Sequence, residues 1–284
     1  VDGRQIFVFP HENETWIGTT DDDYFGDPDD LSVLEDEVEY LLHGIQTVFP
    51  DIRRHGRIRT LVGLRPTLFR HGVPEDDLSR GHAVYDHADE GAPGLLSLAG
   101  GKLAAYRMMS EEATDKVCEL LGRKDRCRTH RLPLPGGDAP ADVPALATAH
   151  DLPEATVGRL AYRHGSRAAD ILRAGKDRLE LVCDCEGVTA AEIRHCVRHE
   201  WVGDLVDLER RSHCGRGPCL GMRCSLRAAQ IVSEELGLPP SRCQSMLADY
   251  IRHRWRSAAP VAAGSTLAQL EMLRSSAAVE SPGR

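Results

Sequence analysis

Val182-Cys183-Asp184-Cys185-Glu186 and, thirty-three intervening residues after Cys185, Cys219-Leu220-Gly221-Met222-Arg223-Cys224 form the most informative pattern in this 284-residue chain. Two thiolates one residue apart bind one metal centre while straining little backbone. Gly215, Gly217 and Gly221 let the second loop wrap closely and turn amide N–H groups toward sulfur. The spacing points to a [2Fe–2S] cluster on Cys183, Cys185, Cys219 and Cys224. Structural zinc also accepts four thiolates, although a C-x-C half is less typical of it, and unliganded buried thiols are a third alternative. Arg210, Arg211, Arg216, Arg223 and Arg227 surround the pattern and offer charge to offset it. Cys196 and Cys214 fall outside the spacing and read as packed thiols. Cys118, Cys127 and Cys243 read as core or surface cysteines.

Six of the nine cysteines fall between positions 183 and 224. An odd number of cysteines, with no basic n-region or apolar h-region at Val1, argues against a disulfide framework and a signal peptide. A first residue other than Met reads as a processed or truncated piece. Hydrophobic residues at 41%, with 26 glycines besides, exclude a mainly disordered chain. No apolar run approaches the ~18–20 residues that span a bilayer. Asp and Glu number 44 against 35 Lys and Arg, and a net charge of −9 disfavours generic nucleic-acid binding.

Periodicity predicts strands over 6–9, 15–20, 58–64, 83–86 and 95–99. It predicts an amphipathic helix over 32–48, capped by Ser32 with Glu35 and carrying Leu34, Val38, Leu41, Leu42, Ile45 and Val48 on one face. A loop over 71–81 and a helix over 102–121 follow, with Tyr106, Ala113, Val117 and Leu120 inward. Beyond the Pro/Gly-rich linker 131–137, short helices are predicted over 139–172. Others start after Thr189 and Asp204, and further ones cover 225–236, 241–255 and 266–274. The expected class is α+β. It comprises a mixed or antiparallel sheet with flanking helices over 1–126, a linker and small helical domain over 127–181, a metal-binding helical module over 182–237, and a helical tail over 238–284.

Ser97-Leu-Ala-Gly100-Gly101-Lys102-Leu103 places two glycines between strand and helix, where amide groups and the helix dipole favour an anion. Lys102 is one of only four lysines and is disfavoured by that dipole, which hints at an anionic partner; a solvated lysine is the bland alternative. Gly63-Leu64-Arg65-Pro66 holds an arginine suited to bidentate phosphate or carboxylate binding, against the alternative of a surface ion pair.

Together these motifs resemble the FAD-dependent glycerol-3-phosphate dehydrogenase family, and with the cysteine tail the A (catalytic) subunits of its anaerobic branch. The segments that carry the resemblance run in order from Trp16-Ile-Gly-Thr-Thr-Asp21 through Gly63-Leu-Arg-Pro66, Ser79-Arg-Gly81, Asp86-His-Ala88, Gly100-Gly-Lys-Leu103 and Ala113-Thr-Asp115. Leu132-Pro-Leu-Pro-Gly136, Tyr162-Arg-His-Gly165, Val182-Cys-Asp-Cys-Glu186 and Asp207-Leu-Glu-Arg-Arg211 continue it over nearly the whole chain. The cysteine portion is similar to the bacterioferritin-associated-ferredoxin type of [2Fe–2S] module. Three departures stand out. No G-x-G-x-x-G occurs, so the resemblance implies the C-terminal part of a longer subunit, or a split form. Ala104 and Ala105 replace the usual threonines, and the second cysteine loop reads Gly215-Arg-Gly-Pro-Cys-Leu-Gly221.

The resemblance implies oxidation of sn-glycerol 3-phosphate to dihydroxyacetone phosphate, the C2 hydrogen leaving as hydride to FAD. It implies that Arg65 binds the phosphate or lines the substrate pocket and that Lys102 favours developing negative charge. Gly100, Gly101, Lys102 and Leu103 are implied to meet the flavin. Electrons are implied to leave through the cluster to partner subunits and then quinone, in a cytoplasmic protein that reaches the membrane only through partners. His11, His82 and His87 are unranked candidates for the general base. A flavin dehydrogenase for another hydroxy or amino acid, an isolated electron-transfer or assembly module, and a zinc-stapled domain are the competing readings.

Overall fold

A computed structural model describes residues 5–11, 14–65, 67–68, 70–73, 78–79, 81–176 and 178–279. Pro66, Arg80 and Pro74–Asp77 of the expected 71–81 loop lie outside the described residues. The architecture is α+β, as expected. Among the described residues the strands form three separate two-stranded antiparallel hairpins, two of them within residues 1–126. Strand β1 (Phe7–His11) pairs with β2 (Glu14–Gly18). Strand β3 (His82–Asp86) pairs with β4 (Leu96–Gly100), and β5 (Leu181–Cys183) with β6 (Val188–Thr189).

The chain divides into two units, each discontinuous in sequence. The larger holds residues 1–20, 32–61 and 134–284. Helix α1 (Glu35–Gln46) lies in it and starts three residues later than the sequence pattern implies. The Leu34 N–H donates to Glu37 Oε2 at 3.0 Å, so Glu37 closes the first turn and Ser32 stands outside it. Residues 58–61, expected as part of a strand, are irregular. The Thr60 N–H and hydroxyl both donate to the Ser257 carbonyl, at 2.6 and 2.8 Å. A carbonyl left over at a helix end serves the backbone that a neighbouring strand would otherwise have paired.

The larger unit continues with α3 (Val143–His150), α4 (Glu154–His164), α5 (Ala168–Ala174), α6 (Ala190–His199) and α7 (Leu205–Ser212). Helices α8 (Ser225–Leu236), α9 (Pro240–Ala258) and α10 (Gly264–Val279) end it. The starts are written in the sequence: the Thr189 hydroxyl accepts from the Glu192 N–H, and Asp204 accepts from the Asp207 N–H. Val157, Leu160, Ile171 and Leu172 form one core among α3, α4 and α5. Ile193, Leu205, Leu208, Ile231 and Val232 form another among α6, α7, α8 and α9. Each such side chain contributes about 1.5–3 kcal/mol by leaving water. The β5–β6 hairpin and the loop from α7 to α8 sit on this second core.

The smaller unit holds residues 21–31 and 62–133, with the β3–β4 hairpin and α2 (Tyr106–Leu120), which follows a 3₁₀ turn at Leu103–Ala105. None of its described residues is buried. Tyr106, Val117 and Leu120, expected inward, are exposed, because one hairpin and one helix are too few layers to close a core. Among the described residues, no helix is long and apolar enough to cross a membrane.

Candidate functional site

The thiol pattern folds into one place. Strand β5 ends at the buried Cys183, and the turn to β6 carries Cys185. Helix α7 ends on His213 in the left-handed region, which turns Cys214 inward, and the glycine loop delivers Cys219 before Cys224 caps α8. The sulfurs of Cys183, Cys214 and Cys224 all lie within 4.8 Å of one another. Those of Cys185 and Cys219 are 3.8 Å apart. Cys214, set aside on spacing, therefore stands inside the group. The signal for it was the Cys214-Gly215 step directly after a helix end, which ligand spacing alone does not weigh.

The loop is held from behind by α9. Tyr250 donates to Glu209 Oε2 at 2.8 Å, and the buried Arg254 donates to Glu209 Oε1 at 3.1 Å. Burial pushes the Tyr250 phenol far up, so it stays a neutral donor. A Cβ at Gly215 would run into the Tyr250 hydroxyl, and one at Gly217 into Cys185. The cradle closes only around hydrogen at these positions. The arginines around it are occupied elsewhere. Arg223 pairs with Asp184 at 2.7 Å, Arg227 with Glu180 at 3.2 Å, and Arg216 lies over the Trp16 ring at 5.4 Å.

The trio titrates unevenly. Hydrogen bonds from Cys214 and then Cys224, with amide donors at Gly215 and Glu186, hold Cys183 as a thiolate, pulled down to about 2. The hydrogen bond with Cys183 pushes Cys214 well up and Cys224 up to about 12. Sulfurs packed this closely disfavour one another's ionisation, and a cation between them relieves that. The donor set and the tight cradle fit a thiolate-held metal centre.

In the smaller unit, Arg65 is ion-paired with Asp21. Gly100 and Gly101 adopt φ of 74° and 91°, and a Cβ on Gly100 would come within 2.5 Å of the Gly81 carbonyl. The Gly101 N–H donates to that carbonyl at 3.1 Å, so it is not left for a ligand. Lys102 is exposed and Leu103 is 89% exposed, side by side after β4. No ion pair or hydrogen bond joins Arg65 to the Gly100–Leu103 segment among the described residues. His82 Nε2 meets Glu112 at 2.7 Å, and His87 meets Glu90 at 2.8 Å and Ser97 at 2.9 Å. His11 lies against the Trp16 ring in the larger unit.

Comparison with known proteins accounts for both halves. Residues 1–107 match the FAD dependent oxidoreductase family, and residues 127–243 match the C-terminal domain of alpha-glycerophosphate oxidase. The anaerobic glycerol-3-phosphate dehydrogenase A subunit of Escherichia coli is 36% identical over 94% of this chain and 50% of its own length. The Haemophilus influenzae protein of the same name is 35% identical over 93% of this chain and 47% of its own. The chain spans about half the length of these curated relatives. The solved glycerol-3-phosphate dehydrogenase of Bacillus halodurans shares the fold, with a TM-score of 0.65 and 24% identity over 93% of this chain and 53% of that one. The chain is thus similar over nearly its whole length to anaerobic glycerol-3-phosphate dehydrogenase A subunits, with one segment matching the FAD dependent oxidoreductase family and another matching the C-terminal domain of alpha-glycerophosphate oxidase.

Proposed function

We propose that this chain supplies the substrate-facing and electron-exit parts of a flavin-dependent sn-glycerol 3-phosphate dehydrogenase of the anaerobic type. The convergence of five cysteine sulfurs behind the two matched segments carries the reading. Cys183, Cys185, Cys219 and Cys224 would hold the [2Fe–2S] cluster, with the Cys214 sulfur beside it. Such a carrier would pass the two released electrons one at a time to partner subunits and finally quinone.

Arg65 binds the substrate phosphate. Asp21 occupies part of its guanidinium and fixes its plane, leaving other N–H donors for phosphate oxygens. Lys102 and Leu103, both exposed after β4, would meet the flavin, the lysine supplying positive charge and the leucine an apolar contact. Gly100 and Gly101 shape that edge through their backbone, with the Gly101 amide committed to Gly81. FAD, when bound, supplies the hydride acceptor.

The test is iron, acid-labile sulfide and zinc analysis of anaerobically purified protein, followed by anaerobic addition of glycerol 3-phosphate to the enzyme assembled with its FAD-binding half. About two irons and two sulfides per chain, with the visible spectrum bleached by substrate, is the expected result. Zinc without sulfide removes electron exit from this chain. Bleaching by another hydroxy acid but not by glycerol 3-phosphate removes the substrate assignment.

A further inference from the structure

At the C-terminal end of α4, away from the cysteine trio, three side chains converge that the proposed reaction does not use. His164 Nδ1 lies 3.3 Å from Glu200 Oε1, and His195 Nε2 lies 3.7 Å from the same oxygen. The two imidazoles stand edge to face with centroids 5.5 Å apart. All three donor atoms fall within 4.8 Å of one another. Ligand atoms bound at about 2.0–2.2 Å around a tetrahedral ion are separated by similar spacings. Two observations beyond proximity point to a ligand. His195 Nε2 is buried without a hydrogen-bond partner, although a buried ring nitrogen is costly to leave unpaired. The other nitrogen of His164 is fixed from behind: Nε2 meets Glu192 Oε1 at 3.0 Å. Glu192 is in turn clamped by Arg163 Nε at 2.7 Å and Nη2 at 2.9 Å.

A carboxylate on the far nitrogen is the arrangement that orients metal-ligating histidines and raises their basicity. It leaves Nδ1 turned toward Glu200 and His195. The donor set is therefore two imidazoles and one carboxylate, which suits a zinc-class divalent ion with a position open to water. The Cys196 thiol, on the same helix, also lies in hydrogen-bonding reach of His164.

We infer that His164, His195 and Glu200 form a second metal site, separate from the cysteine centre, that takes a zinc-class divalent cation and ties the end of α4 to α6. Its effect would be mechanical, because α6 follows directly from the β5–β6 hairpin that carries Cys183 and Cys185. The rival occupant is a proton. Against desolvation, which lowers it, hydrogen bonds with Cys196, Glu192 and Glu200 push metal-free His164 up to about 11. A cation and a second ring proton satisfy the same negative pocket, and metal analysis tells them apart.

The experiment loads purified protein of known iron and sulfide content with zinc, dialyses it against zinc-free buffer, and counts metals by mass spectrometry. His195→Ala and the nearly isosteric Glu200→Gln are treated in parallel. The expected result is about one zinc per chain in the unaltered protein beyond that in either variant, with iron and sulfide equal in all three. A zinc-dependent rise in melting temperature should accompany it and vanish in both variants. Equal zinc in the unaltered protein and Glu200→Gln overturns the inference and leaves the proton in place. Zinc that persists in His195→Ala but is lost in Cys183→Ser also overturns it, by moving the ion to the thiol centre.

Discussion

The Cys185 and Cys219 sulfurs meet at 3.8 Å across thirty-three intervening residues, and Gly217 makes that approach possible. The span between them is filled by a hairpin strand, α6 and α7, whose capped starts and buried leucines fix where the second loop returns. The pair is thus set by helix packing, and the remaining sulfurs, Cys183, Cys214 and Cys224, gather on its buried side.

On the proposed four-thiolate centre, Cys214 is dispensable as a ligand but not as a neighbour. Cys214→Ser should keep about two irons and two sulfides per chain, whereas Cys183→Ser should lose both. Exchanging a buried S–H for O–H beside the cluster alters the hydrogen bonds to its ligand sulfurs, so the reduction potential should shift. A redox titration followed in the visible spectrum checks this. Loss of iron from Cys214→Ser equal to that from Cys183→Ser would make Cys214 a ligand in its own right.

Arg65 is the group assigned to the substrate phosphate, and its partner Asp21 aligns it. Hydrogen bonds to charged groups are worth about 1.5–3 kcal/mol, so Arg65→Ala should lower kcat/KM for glycerol 3-phosphate by roughly 10- to 150-fold. Most of the loss should appear in KM. Asp21→Asn keeps the arginine and should cost less than tenfold. Steady-state kinetics on the assembled enzyme decide it, and an unchanged KM in Arg65→Ala removes the phosphate role.

Much of the fold was legible before any coordinates. The starts of α6 and α7 follow from Thr189 and Asp204, and the two cysteine motifs meet, Cys185 with Cys219 and Cys183 with Cys224. What was not legible depends on neighbours distant in sequence. Residues 58–61 look like a strand by composition, but Thr60 finds its partner at the end of α9. The apolar side chains of α2 have the helical period of a core face, yet the smaller unit has too few layers to bury them. Two motifs that looked independent, ending at Gly136 and Gly165, turn out to be one contact. The Ser166 N–H donates to the Gly136 carbonyl at 2.9 Å, so closely that neither glycine has room for a Cβ. Cys214 is a packed thiol, as its place outside the spacing implies, and the left-handed turn at His213 sets its direction toward Cys183 and Cys224.

The fully buried Glu192 and Arg163 form a bidentate pair, and breaking it should cost far more than breaking a surface pair of the same length. Glu192→Ala strands the Arg163 guanidinium in the interior and should lower stability by about 3–5 kcal/mol. The exposed pair Arg173–Asp170 is also 2.7 Å long, and Arg173→Ala should cost about 0–1 kcal/mol. Urea unfolding of both variants provides the comparison. Similar costs would mean that water reaches Arg163 once the carboxylate is gone.

Gly217 links the fold to the thiol centre most directly. It does not adopt a positive φ, so alanine is acceptable to the backbone, and the difficulty is steric alone. A new Cβ would run into Cys185 Cβ and come within 3.2 Å of its sulfur and 3.5 Å of Glu186 Oε1. Glu186 cannot easily give way, because Arg159 holds its other oxygen at 2.6 Å. Cys185 must therefore move, and its 3.8 Å approach to Cys219 is lost. Gly203, in the same module, is the control: its Cβ would meet only Asp207 Oδ2, at 3.8 Å. Gly217→Ala should retain its helical circular dichroism yet hold less than about half the iron and sulfide, close to the level of Cys185→Ser. Gly203→Ala should hold both in full. Equal iron in the two glycine variants would show that Cys185 is free to swing aside without loss, and so is not a ligand.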